Sequence, residues 1–184
     1  FFNSYDINLI EHVKDLINAG ITSLKIEGRA KSVYYVATVT RAYRKVIDAI
    51  GKNEYKKIIS EQKKELDKLT NRGYSKGFLL ESEPLHDFFD RNRNANFDFV
   101  GEVVGDPVNN GKPGNFNLVR VHNSLFQKDR LEAITPEGNF PVKILEMRNN
   151  EDEIIEEAHG GDGKKYLIKF DKKLNTLDII RRMK

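Results

Sequence analysis

The chain has 184 residues, 31 Lys and Arg against 28 Asp and Glu, a formal net charge of +3, and no Cys. That length suits one ordinary domain or two small ones, and a charge balance this even does not by itself call for a nucleic-acid partner. Without Cys the chain can form neither a disulfide nor a thiolate metal site, and no apolar run approaches the ~20 residues a membrane span needs.

Asn8, with Glu11 three residues on, predicts a capped helix with Leu9, Val13, Leu16 and Ile17 in one stripe and Gly20 just past its end. Residues 21–27 predict a strand, because Leu24 and Ile26 alternate with Lys25 and Glu27. Gly28 breaks it, Arg29 and Lys31 follow, and Ser32 caps a second helix closed by Gly51. Val36, Thr40, Tyr43, Ile47 and Ile50 are its predicted buried face. A third helix over 54–69 places Tyr55, Ile58, Ile59, Gln62, Leu66 and Leu69 at helical spacing, and its aromatic reads as core.

In α/β proteins ligands gather at the C-terminal ends of strands. Lys25, Glu27, Arg29 and Lys31 are therefore a candidate anion-handling site. A solvated strand end with ordinary surface charges accounts for the same spacing equally well.

Residues 81–96 are polar, contain Pro84, and read as a linker. Beyond them short β-type runs alternate with turn clusters: 97–104, 116–121, 130–134, 140–147, 166–170 and 176–180. Asn109-Asn110-Gly111, Pro136-Glu137-Gly138 and Gly160-Gly161-Asp162-Gly163 separate several of them. This spacing predicts a small closed β-barrel.

Charge is unevenly spread, basic over 31–72 and acidic over 151–162. Lys56, Lys57, Lys63 and Lys64 are candidate RNA contacts, although such runs are more often solvated helix faces. His12, His86, His122 and His159 are scattered without metal-like spacing, so no metal site is expected. Gly101 and Gly105 lack the Lys-Ser/Thr and the helix of a phosphate loop.

Several segments share one further property. Asn3-Ser4-Tyr5-Asp6, Leu9-Ile10-Glu11-His12, Ala19-Gly20-Ile21, Lys25-Ile26-Glu27-Gly28-Arg29 and Tyr34-Tyr35-Val36-Ala37-Thr38 resemble, in order, the collagenase-like peptidase family of unassigned catalytic type. Asn71-Arg72-Gly73-Tyr74-Ser75-Lys76-Gly77-Phe78 is similar to a later segment of that family, and Phe99-Val100-Gly101-Glu102-Val103-Val104-Gly105 to the entry of its C-terminal domain.

The resemblance implies α/β followed by all-β. Residues 1–80 would be the last portion of a (β/α)-barrel catalytic domain with trailing helices, 81–96 a linker, and 97–184 a small β-barrel resembling domain 2 of translation factors. The chain begins Phe1-Phe2 without an initiator Met, as expected for a piece of a longer protein. The resemblance also implies candidate catalytic residues Glu27 and Lys25, and substrate contacts at Arg29, Lys31, Asn3, Asp6, Arg72 and Tyr74.

Two activities follow from it: peptide hydrolysis, or prephenate-dependent hydroxylation of a tRNA uridine. The cations favour the second, because guanidinium grips carboxylate in a bidentate way and prephenate is a dicarboxylate. A hydrolase would want an identifiable nucleophile or metal-bound water. A binding module without catalysis, docking RNA or a partner, is the third reading. The resemblance also implies an iron–sulfur cluster in the parent protein, and relatives often carry Cys where this chain has Asn8. A cytoplasmic location, a tRNA partner and self-association through the edges of 23–27 complete the expectations.

Overall fold

A computed structural model describes residues 3–80, 86–87, 96–105 and 116–184; most of the expected linker and the turn Asn109-Asn110-Gly111 lie outside them. The chain forms two compact units, Phe1–Ala95 and Asn96–Lys184.

In the first unit β1 (Asn3–Ser4) and β2 (Asp6–Ile7) lead into a 3-10 turn, Ile10–His12, and α1 (Val13–Asn18). Asn8 does not take the expected cap position, which Leu9 holds without a side-chain bond; its Oδ1 instead accepts from Ile10 N at 3.1 Å, a local turn just ahead of the helical stretch. Glu11 does not complete a capping box; it pairs instead with Lys63 at 2.9 Å. Gly20 follows α1 at φ +90°, a conformation that a side chain would disfavour.

α2 (Val33–Asp48) begins at Ser32, whose hydroxyl accepts from Tyr35 N at 3.2 Å. Its buried face is Tyr34, Thr38, Val39, Ala42 and Val46, not the expected Val36, Thr40, Tyr43, Ile47 and Ile50. α2 is apolar on two sides, and packing against α3 (Tyr55–Leu66) selects the one with small Ala42. Val36 instead rests on Gly28, where an added Cβ would lie 2.8 Å from its Cγ2. The expected stripe of α3 holds: Gln62, Leu66 and Leu69 are buried, and Tyr55, Ile58 and Ile59 half-buried.

β3 (Tyr74–Ser75) runs parallel to β2, and β4 (His86–Asp87) antiparallel to β1. The predicted strand over 21–27 is absent: these residues are exposed and carry no ladder. A strand exists through hydrogen bonds to a neighbour, and no described segment supplies one. The (β/α)-barrel portion is accordingly not visible as such.

The second unit is antiparallel throughout. Its strands are β5 (Phe97–Gly105), β6 (Asn117–Val121), β7 (Leu125–Phe126), β8 (Leu131–Ile134), β9 (Asn139–Val142) and β10 (Ile144–Arg148). β11 (Ile154–Ile155), β12 (Glu157–Ala158), β13 (Lys165–Phe170) and β14 (Ile179–Met183) complete it. Eight of them form one curled sheet in the order β11-β10-β13-β6-β5-β14-β8-β9, and β12 pairs with β7. Val100, Val103, Val119, Met147, Ile168 and Ile180 fill its core at 0% exposure.

The expected run 140–147 is two strands, split at Lys143, and the last strand starts three residues later than 176. The described pairings end at β11 and β9, so the expected closed barrel is not seen among them.

Gly160 sits where a Cβ would be 2.4 Å from the His122 carbonyl carbon, a backbone atom with no room to yield. Gly160→Ala is expected to destabilise the protein by about 1–3 kcal/mol, because overpacking forces the backbone apart. Chemical denaturation reads this directly, and an unchanged midpoint would mean that the 122–124 and 159–161 turns separate freely.

Candidate functional site

Arg72 is delivered by the turn that precedes β3. Asn71 Oδ1 accepts from Gly73 N at 2.9 Å, and its Nδ2 donates to the Leu69 carbonyl at 2.9 Å. Gly73 adopts φ +95° and receives the Tyr5 ring, which a Cβ would meet at 2.5 Å. Asp6 N donates to the Gly73 carbonyl and Asn8 N to the Ser75 carbonyl, each at 2.9 Å, fixing β2 beside this turn.

Asp6 thereby becomes the centre of a cationic cluster. Its Oδ1 accepts from Arg72 at 3.0 Å, and Lys31 Nζ lies 3.6 Å from Oδ2. The Asp6 side chain is only 10% exposed, so two cations compensate its burial. Lys31 also stands over the Tyr35 ring, 4.8 Å from its centroid, a cation–π contact. Burial is the main force raising the Tyr35 hydroxyl above its ordinary pKa, followed by the Asp6 charge.

These residues line a cavity of about 670 Å³ that also receives Lys25, Glu27 and Arg29. Glu27 Oε1 accepts from both the Arg29 backbone N (3.2 Å) and its Nε (3.1 Å). Those bonds hold the Glu27 carboxyl below its ordinary range, so it stands as a carboxylate that orients Arg29. Gly28–Lys31 is closed by a turn, Lys31 N donating to the Gly28 carbonyl at 3.0 Å.

Six of the eight candidate site residues thus share one cavity: Lys25, Glu27, Arg29, Lys31, Asp6 and Arg72. Tyr74 is not among its walls. Its hydroxyl donates to the Leu66 carbonyl at 2.8 Å, and burial raises its pKa far above the ordinary tyrosine value. The side chain of Asn3 lies outside the described part of the structure.

Sequence reasoning did not single out Tyr35 and Tyr43 for this site. Tyr43 accepts from Leu9 N (3.0 Å) and donates to Asn8 Oδ1 (3.2 Å), pinning the corner after β2. Its helical spacing marked it only as apolar packing.

Of the candidate RNA contacts, Lys63 is engaged by Glu11 at 2.9 Å and Lys57 loosely by Glu61 at 3.9 Å. Lys56 and Lys64 are exposed on α3. The neighbouring helix charges are largely paired too, Arg44 with Asp48 and Lys68 with Glu65.

No group of three or more His, Cys, Asp or Glu residues able to hold a metal occurs among the described residues. No helix among them is long and apolar enough to cross a membrane.

Comparison with known proteins gives this arrangement a family. Residues 1–87 match the model of peptidase family U32, and 95–181 match that of the peptidase family U32 C-terminal domain. The chain belongs to peptidase family U32.

Among curated relatives, tRNA hydroxylation protein P of Haemophilus influenzae is 35% identical over 183 residues, which is 95% of this chain and 37% of that protein. The protein of the same name from Escherichia coli is 35% identical over 188 residues, covering 97% of this chain and 39% of the relative. A Porphyromonas gingivalis protein named collagenase is 34% identical over 76 residues, 41% of this chain and 18% of its own length. The chain therefore spans about two fifths of the length of the tRNA hydroxylation relatives.

Proposed function

We propose that this chain is part of a cytoplasmic protein that hydroxylates a tRNA uridine with prephenate as the small-molecule reactant, and that the cavity around Asp6 takes the prephenate carboxylates. The supporting observation is the charge of its wall: Lys25, Arg29, Lys31 and Arg72 face only two carboxylates, Asp6 and Glu27. Guanidinium and ammonium donors set around one small space suit a dicarboxylate. The names of the relatives aligned over nearly the whole chain support the same reading.

Each side chain has a physical role here. Asp6 holds Arg72 and Lys31 side by side, so that both are oriented before a ligand arrives. Glu27 fixes the base of the Arg29 guanidinium and leaves its terminal nitrogens for the ligand. Lys25 adds a cation on the same wall. Residues 1–80 are then the end of a (β/α)-barrel, and the curled sheet a small barrel like domain 2 of translation factors. The ladder-free residues 23–27 would gain their partner strand from the rest of the protein or from a second copy.

An iron–sulfur cluster does not fit the donors of this chain. It has no Cys, and Asn8 Oδ1 is taken by Ile10 N and Tyr43 Oη. Any such cluster of the full-length protein draws its ligands from outside these residues.

Calorimetric titration of the full-length protein with prephenate tests the reading. Binding should occur, weaken with salt, and fall about tenfold or more in Arg72→Ala, as for loss of a charge-assisted hydrogen bond. No binding of prephenate, together with cleavage of gelatin by the same preparation, would overturn it in favour of the peptidase reading that the collagenase relative supports.

A further inference from the structure

The second unit carries a built group that the cavity does not use. His122, immediately after β6, stacks on Phe99 of β5 with ring centroids 4.4 Å apart and 31° between planes. Its Nε2 lies 3.2 Å from Glu102 Oε1, which also accepts from Arg120 at 2.8 Å. Glu102 is buried, whereas the His122 side chain remains 33% exposed. Asn123 Nδ2 donates to the Phe99 carbonyl at 2.6 Å, and Gly160 N to the Asn123 carbonyl at 3.1 Å. A ring contact, a carboxylate and a glycine-backed turn therefore fix one partly exposed imidazole.

Two lysines belong to the neighbouring chain segment. Lys165 is the cross-strand neighbour of Arg120, and Val121 N donates to the Lys164 carbonyl at 3.2 Å, which brings Lys164 beside the same turn. Both lysines are exposed, and no described carboxylate pairs with either. Arg120, Lys164 and Lys165 thus stand with Glu102 and the exposed Asp162 of the 160–163 turn at the edge of a fixed aromatic stack, three cations to two carboxylates; His159 and Glu157 next to it pair with each other at 2.9 Å.

We propose that this end of the C-terminal unit binds an unpaired stretch of RNA, with a base stacked on His122 and the flanking phosphates on Lys164, Lys165 and Arg120. The inference rests on the tRNA reading above and adds a second contact region, remote in sequence from the cavity. Stacking on an oriented aromatic tolerates any base, and unpaired lysines beside it supply the phosphate attraction.

The test is tRNA binding by fluorescence anisotropy, at several salt concentrations, with the full-length protein. Replacing Lys164 and Lys165 together by Glu should weaken binding at least about tenfold and lower the salt slope by about two, one for each phosphate no longer neutralised. His122→Ala should weaken it about tenfold, and His122→Phe, which keeps a stacking ring, should recover most of that loss. Prephenate titration should be unchanged in all three.

Wild-type binding of tRNA with an unaltered affinity and slope in the double lysine variant would overturn this inference and leave the tRNA reading standing. Equal losses in His122→Ala and His122→Phe would overturn the stacking role. Absence of tRNA binding by the wild-type protein would overturn both readings. The lysines lie on the surface, so their variant keeps the test valid should His122→Ala fail to fold.

Discussion

On the function proposed above, Arg29→Ala in the full-length protein lowers tRNA uridine hydroxylation by about 100-fold or more, the scale set by losing a positioning group near reacting atoms. The Arg29 side chain is 90% exposed and its one described ion pair is with Glu27, so folding should be untouched. Glu27→Gln removes the charge that orients the guanidinium and should give a similar loss of activity. The informative measurement pairs the two readouts: hydroxylated uridine quantified by mass spectrometry, and the melting temperature of each variant. Active variants would return these residues to ordinary surface charge, and unfolded ones would make them structural.

Glu132→Ala should have the largest effect on stability. Arg181 is 0% exposed; its Nε donates to Glu132 Oε2 at 2.7 Å, and its guanidinium lies 4.4 Å from the Phe97 ring centroid. Removing the carboxylate takes from a fully buried guanidinium the anion that both its Nε and a terminal nitrogen engage, a loss of about 3–5 kcal/mol. Glu132→Gln keeps an acceptor and should cost less. Urea denaturation of the three proteins measures the order directly, and a Glu132→Ala midpoint equal to that of the parent protein would show that Arg181 finds another anion or water. Replacing both residues by apolar side chains should recover much of the stability, since the pair is expensive to break and less expensive to remove.

Local chemistry was legible wherever neighbouring residues suffice to decide it. Ser32 as a helix cap, Gly20 and Gly51 at positive φ beyond helix ends, and the short β runs after residue 97 all follow from rules that act over a few residues. The clustering of charges that lines the cavity was legible too, because Lys25, Glu27, Arg29 and Lys31 lie within seven residues of one another.

What the sequence could not decide were the choices that depend on a distant partner. The alternation of residues 21–27 permits a strand, but a ladder needs a neighbouring edge, and none lies among the described residues. α2 offers two apolar sides, and only its packing against α3 determines which is buried. Arg72 and Asp6 are 66 residues apart in the chain, and it is the parallel pairing of β2 with β3 that brings a guanidinium onto that carboxylate. The sequence alone determined the kinds of helix ends, turns and charges this protein has. The tertiary structure decided which face is covered and which charges meet, because burial and ion pairing are properties of residues brought together from different parts of the chain.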